Sequence, residues 1–224
     1  MIQDIQIRQD VELELLYDAG VNAATIGVAV NDGVVTLTGT VSSYAEKMAA
    51  VHAAERVQFV RAVACELNVD LPGPEEWTDA DLARAVANVL AWNSSVPLGR
   101  IRVEVENGWI TLEGTVDWQY QKSAAVAAVT FLRGVRGIND LVNVNPLVSA
   151  ENTKEQIEAG LRRCATIDVR NLLVEVHDDK VVLTGSVHSI PERDEVERIA
   201  WSAPGVSDVA NHVAITEESV IKDS

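Results

Sequence analysis

One segment occurs three times without a gap. Val28-Ala-Val-Asn-Asp-Gly-Val-Val-Thr-Leu-Thr-Gly-Thr-Val41 returns as Val103-Glu-Val-Glu-Asn-Gly-Trp-Ile-Thr-Leu-Glu-Gly-Thr-Val116 and as Val174-Glu-Val-His-Asp-Asp-Lys-Val-Val-Leu-Thr-Gly-Ser-Val187. Its closing glycines, Gly39, Gly114 and Gly185, lie 75 and 71 residues apart. Solenoid repeats have periods of roughly 20–50 residues, so this longer period marks tandem small domains. Three such units account for nearly all of the 224 residues.

Within each copy, Val28 and Val30 alternate with small or polar residues, an Asn-Asp-Gly corner follows, and Val35 and Leu37 alternate with Val34, Thr36 and Thr38. That is a β-hairpin with one apolar face. Gly33 and Gly108 are the residues expected to supply a positive φ at the turn, where the third copy has Asp179. Gly39, Gly114 and Gly185 are expected to end the second strand, at a bulge or a close backbone approach.

The flanks repeat as well. Val11 and Leu15, Val86 and Leu90, and Ile157 and Leu161 are i, i+4 pairs that predict a helix before each hairpin, with starts expected at Thr78 and Thr153. A second helix is predicted after each hairpin, over Tyr44–Val57, Gln119–Leu132 and Pro191–Trp201, and a short strand closes each unit at 63–69, 138–144 and 209–215. The fold class is therefore α+β: three tandem αββαβ domains, over residues 1–71, 78–146 and 150–217, each a three-stranded sheet covered on one face by two helices. The opposite face, with Thr36, Glu104, Glu106, Thr111, Glu113, Glu175 and His177, is expected to meet water or a neighbouring unit. Units of about 70 residues are marginal alone, so they are expected to pack on one another. Linkers are expected at Leu71–Trp77 and Asn145–Ala150, and a frayed tail from Glu217.

The repeated V-x-V-x-D/N-G-x-V-x-L-x-G-x-V hairpin and the closing segments Gly134-Val-Arg-Gly-Ile-Asn-Asp-Leu-Val-Asn143 and Gly205-Val-Ser-Asp-Val-Ala-Asn211 resemble the BON (bacterial OsmY and nodulation) domain over about 210 residues. The first copy, Phe59-Val-Arg-Ala-Val-Ala-Cys65, departs from the pattern by lacking the glycine. The resemblance implies the αββαβ fold, a bacterial source, no catalytic machinery, and links to osmotic stress and the cell envelope. It also implies two ligand classes found among relatives: phospholipid or an envelope-associated partner, and potassium.

Lys and Arg number 18 against 34 Asp and Glu, a net charge of −16. Such a surface repels phosphate backbones, so no nucleic-acid partner is expected, and it opposes adhesion to anionic lipid. The net is −7 over residues 1–75, −2 over 76–150 and −7 over 151–224. No run of apolar residues approaches a membrane span, and no basic start followed by an apolar stretch is seen at the N-terminus. A cytoplasmic location is expected, or a periplasmic one if a leader has been removed.

Motifs for chemistry are few. Cys65 and Cys164 stand far apart, without a CxxC or a Cys/His cluster, and are expected to be small buried thiols. There is no HExxH, no phosphate loop and no G-x-S-x-G. No enzyme and no cofactor are expected. His177 and His188 flank the third hairpin with Asp178 and Asp179 near; either they approach to form a transition-metal site or they are solvated. Potassium needs only backbone carbonyls and leaves no side-chain signature.

The aromatic residues are more informative. Trp109 replaces Val34 and Lys180, Trp118 replaces Ser43, Tyr120 replaces Ala45, and Trp92 matches Tyr17 and Arg163 at the end of a first helix. These four are candidates for a partner or lipid surface or for self-association, with packing between units as the alternative. The middle unit, nearly neutral, would suffer least repulsion in such a contact. Expectation thus centres on a non-enzymatic stress-linked binding or scaffold protein, with a cytoplasmic cation or small-ligand sensor, or a self-assembling homo-oligomer, as the alternatives.

Overall fold

The computed structural model describes residues 2–72, 77–146, 152–164 and 171–216. Each unit runs helix, hairpin, helix, strand. The first has α1 (Ile2–Tyr17), β1 (Ile26–Asn31), β2 (Val34–Val41), α2 (Tyr44–Glu55) and β3 (Ala62–Val69). The second has α3 (Asp79–Trp92), β4 (Ile101–Glu106), β5 (Trp109–Val116), α4 (Gln119–Thr130) and β6 (Gly137–Val144). The third has α5 (Thr153–Arg163), β7 (Leu172–His177), β8 (Lys180–Val187), α6 (Ile190–Trp201) and β9 (Asp208–Ile215). The expected linkers and tail, and the start of the third unit at residue 150, fall wholly or partly outside the described residues.

In every unit the second strand is central, antiparallel to the first and parallel to the third. Alternation decides what is buried: Val35, Leu37 and Val41 of β2 turn inward while Val34 and Thr38 are exposed. Ile110, Leu112 and Val116 repeat this in β5, and Val181, Leu183 and Val187 in β8. Helix stripes at i, i+4 close over that face: Ile7, Val11 and Leu15; Leu82, Val86 and Leu90; Ile157 and Leu161. The opposite sheet face stays open and mostly polar, with Trp109, Leu141 and Leu173 exposed among its charged and hydroxyl side chains.

Several local expectations change. Gly39, Gly114 and Gly185 do not end their strands, which run on to Val41, Val116 and Val187. They hold φ of 124°, 155° and 129° where the chain entering the first strand crosses them. A Cβ there would drive into the carbonyl oxygen of Thr25, Arg100 or Asn171. The close approach, one of the two expected roles, is the operative one.

At the hairpin turns Asp32 and Gly33 have φ of 48° and 75°, and Asn107 and Gly108 have 51° and 79°. In the third copy Asp178 takes the positive φ, 56°, and Asp179 does not. A non-glycine at the second turn position thus avoids the left-handed region by changing turn type. Where the first copy lacks the closing glycine, Phe59 takes the strained conformation itself (φ 65°), matching Gly134 and Gly205.

Helix α5 begins at Thr153, the expected start, with Asn152 as its N-cap. Helices α2 and α4 end two residues short of expectation, because Val57 and Leu132 still reach the core from the following turn. Thr78 caps α3 as predicted, its hydroxyl accepting from Asp81 N–H at 3.2 Å. The sequence pattern did not show that α3 also clamps the hairpin. Asp79 accepts from Asn107 N–H at 2.7 Å and from Gly108 N–H at 2.9 Å, and Asp4 accepts from Gly33 N–H at 3.1 Å.

The units pack through their second helices. Ile190, the first residue of α6, is buried in the core of the first unit, with Ile215 against the same core. Tyr44, the first residue of α2, packs on the core of the second unit. Tyr44, Gln119 and Ile190 are equivalent positions, separated by the same 75 and 71 residues as the hairpins. The contacts therefore run cyclically: unit three into one, and unit one into two.

Candidate functional site

Cyclic packing requires a third contact, from α4 of the second unit to the third. Its plug position is Gln119, a polar residue where the sister helices have Tyr and Ile. Here the units do not close. A cleft of ≈ 1060 Å³ opens between α4 and α6, and its aromatic walls are Trp118, Tyr120 and Trp201. Trp118 and Tyr120 are exposed, at 37% and 58%, and Trp201 is half-buried against the core of the third unit.

Local structure shows that Trp118 occupies a position suited to another residue. In the sister units this N-cap is serine: Ser43 Oγ accepts from Glu46 N–H at 3.1 Å, and Ser189 Oγ accepts from Glu192 N–H at 3.4 Å. An indole has no acceptor, so Trp118 cannot do this. The Gln121 N–H turns instead to the Trp118 carbonyl at 3.1 Å, while Gln121 Oε1 accepts from the N–H groups of Asp117 and Trp118 at 3.0 and 3.2 Å, much as Glu46 and Glu192 accept from Ser42 and His188 in the sister units. Losing an N-cap serine costs about 1 kcal/mol. The helix carries that cost while presenting a large apolar ring to the cleft.

The cleft is rimmed by acid. Asp194 and Glu197 of α6 line it, with Arg198. Arg198 is already committed: Nε and Nη2 donate to the two carboxylate oxygens of Glu195 at 2.6 Å each, which raises the guanidinium and lowers the carboxyl. Burial raises the Asp194 carboxyl above its ordinary value; Arg193 opposes this, and Glu197 adds to it. Glu197 accepts from Trp201 Nε1 at 3.3 Å and from Asn211 Nδ2 at 3.0 Å, which fixes the indole against the acid. Burial also raises Glu55 at the end of α2, with His52 opposing and Asp194 adding to the rise, so α2 reaches this acid as well.

The four aromatic candidates are thus separated. Trp118 and Tyr120 meet in the cleft. Trp109 lies elsewhere, its ring laid over Gly137 on the open sheet face beside Glu104, Glu106 and Asn139. Trp92, 88% exposed, ends α3 away from both. Sequence reasoning missed Trp201 as a site residue. The available signal was its replacement of Glu55 and Thr130 at the end of a second helix.

The structure does not bring His177 and His188 together. The two residues flank the whole of β8, so they stand roughly 25 Å apart at ~3.3 Å per residue. His177 Nε2 is 3.9 Å from Glu175, and His188 Nδ1 is 3.5 Å from Glu192. Among the described residues no group of three or more His, Cys, Asp or Glu could hold a metal ion. Neither Cys65 nor Cys164 is in a disulfide, and both are half-buried, more open than expected; Cys164 Sγ donates to Glu195 Oε1 at 3.9 Å. No helix among the described residues is long and apolar enough to cross a membrane.

The BON domain pattern matches residues 3–70, 78–146 and 149–217. Osmotically-inducible protein Y of Escherichia coli (strain K12) is 32% identical over 141 residues, which are 59% of this chain and 70% of that protein. CdsD, a structural protein of the type III secretion system of Chlamydia trachomatis, has solved structures that are 15% and 16% identical. They cover 95% and 94% of this chain, and it covers 98% and 92% of theirs, with TM-scores of 0.27 and 0.26. Superpositions of that quality carry no argument. Three consecutive matches spanning nearly the whole sequence establish that this chain belongs to the BON domain family, in three tandem copies.

Proposed function

We propose that this chain is a non-catalytic bacterial protein of the osmotic-stress response, working as a binding module that engages an envelope-associated partner or phospholipid through the cleft between α4 and α6. The stress link is supported by its likeness to an osmotically inducible relative. One observation carries the site assignment: Trp118, Tyr120 and Trp201 converge where the cyclic packing is left open, and an N-cap is given up to put one of them there. Clustered aromatic surface of this kind marks interaction sites.

Photo-crosslinking in cells tests the reading. A photoreactive residue replaces Tyr120 in one strain and Trp92 in another, and both are irradiated after an osmotic upshift. Adducts, resolved as protein or lipid, are expected from position 120 and are lost with Trp118→Ser. Equal yields from both positions, or adducts indifferent to Trp118→Ser, would remove the cleft as the site.

A further inference from the structure

We propose that the occupant of the α4–α6 cleft is a basic polypeptide segment carrying an apolar anchor residue, which takes the place left by the missing plug at Gln119. This rests on the reading of the cleft as the binding site and names the chemistry of its partner.

The molecule itself shows what such a position accepts. At the two equivalent contacts the plug is an apolar or aromatic side chain at the start of a helix, Ile190 in the first unit's core and Tyr44 on the second's. At the third contact the plug is Gln119, while apolar wall remains available on both sides. A cleft built to receive a helix-borne apolar side chain, with no such side chain of its own, fits one supplied by another chain.

Charge selects among apolar partners. Asp194 and Glu197 face the cleft; Arg198 beside them donates to both oxygens of Glu195, and Arg193 Nε reaches Asp194 only at 3.9 Å. The third unit carries −7 overall. An anionic lipid headgroup meets repulsion here, whereas a lysine or arginine beside the anchor meets two carboxylates set three residues apart on one helix. A cation over Trp118 or Trp201 gains further from the ring face. Burial opposes the charge on Asp194, and a cationic partner would relieve that opposition.

The test uses the full chain and fluorescein-labelled peptides read by anisotropy. One peptide carries an isoleucine anchor flanked by lysines, a second has glutamates for the lysines, and a third has serine for the anchor. Only the first is expected to bind. Asp194→Asn with Glu197→Gln should weaken it by about tenfold or more. Gln119→Ile, which supplies an internal plug, should also displace it while far-UV circular dichroism stays unchanged. Equal binding of the lysine and glutamate peptides overturns the proposal, as does binding that Gln119→Ile leaves intact. Vesicles of phosphatidylethanolamine and phosphatidylglycerol are run in parallel. Flotation abolished by Trp118→Ser, without binding of the basic peptide, overturns this inference and leaves the cleft as the site. Failure of peptides and vesicles alike removes both.

Discussion

The three contacts between units occupy equivalent positions yet differ in character. At the start of α6, Ile190 is sealed into the first unit at 3% exposure. At the start of α4, Gln119 is half-buried beside an open aromatic cleft. The backbone is the same in both places, a helix starting after a hairpin. The difference lies in a few side chains, which teaches that a repeated fold can set aside one of its internal contacts for an external partner. The exchange is visible within one helix turn, where Ser189 and Ile190 correspond to Trp118 and Gln119.

The comparison breaks most completely if the middle unit is unfolded. Gly114 holds φ 155° beneath the carbonyl of Arg100, so Gly114→Val should cost about 3 kcal/mol or more and expose the cleft wall. Urea unfolding followed by circular dichroism reads this, and a loss under about 0.5 kcal/mol would contradict the close approach.

Next in size, Ile190→Ala removes a buried anchor and should cost about 2–4 kcal/mol, whereas Gln119→Ala should change stability by less than about 0.5 kcal/mol. Similar costs for the two would mean that the contacts are not as unlike as described. Trp118→Ser restores the cap that the sister helices have. It should stabilise by about 1 kcal/mol while cross-linking from position 120 disappears. A variant that loses stability instead would place Trp118 among packing residues.

The smallest effect concerns pH. The native Asp194 carboxyl is raised above 3.8 by burial, so the folded chain holds a proton that the unfolded chain has released. Stability from this group is present below pH 3.8 and lost as pH rises through the raised native value. Asp194→Asn should therefore be more stable than wild type at neutral pH, with the gain vanishing below pH 3.8. Thermal melts at pH 7 and pH 3.5 check it; an equal gain at both would assign the effect to something other than this carboxyl. Glu46 has the opposite sign. Burial works against it, but Ser42 and Asn22 hydrogen bonds win and lower its carboxyl, so their contribution is lost as pH falls below 4.5.

Much of the fold was legible because its determinants are local. Alternation in the hairpins, i, i+4 stripes in the helices and glycines at fixed offsets each act within a few residues, and triplication repeated the signal. The candidate site was legible only in part. Trp118 and Tyr120 stood out by comparison with Ser43 and Ala45, but so did Trp109, which the topology sends to the open sheet face. Trp201 escaped notice because its importance depends on a neighbour in a different unit.

The sequence by itself determined three αββαβ units, their inward faces and the acidic surface, since periodicity and composition act along the chain. Only the tertiary structure decided that His177 and His188 lie at opposite ends of β8. It also decided that Tyr44 and Ile190 close two contacts while Gln119 leaves the third open. Those outcomes depend on which helix end meets which core, and residues far apart along the chain carry no shared pattern that records their meeting.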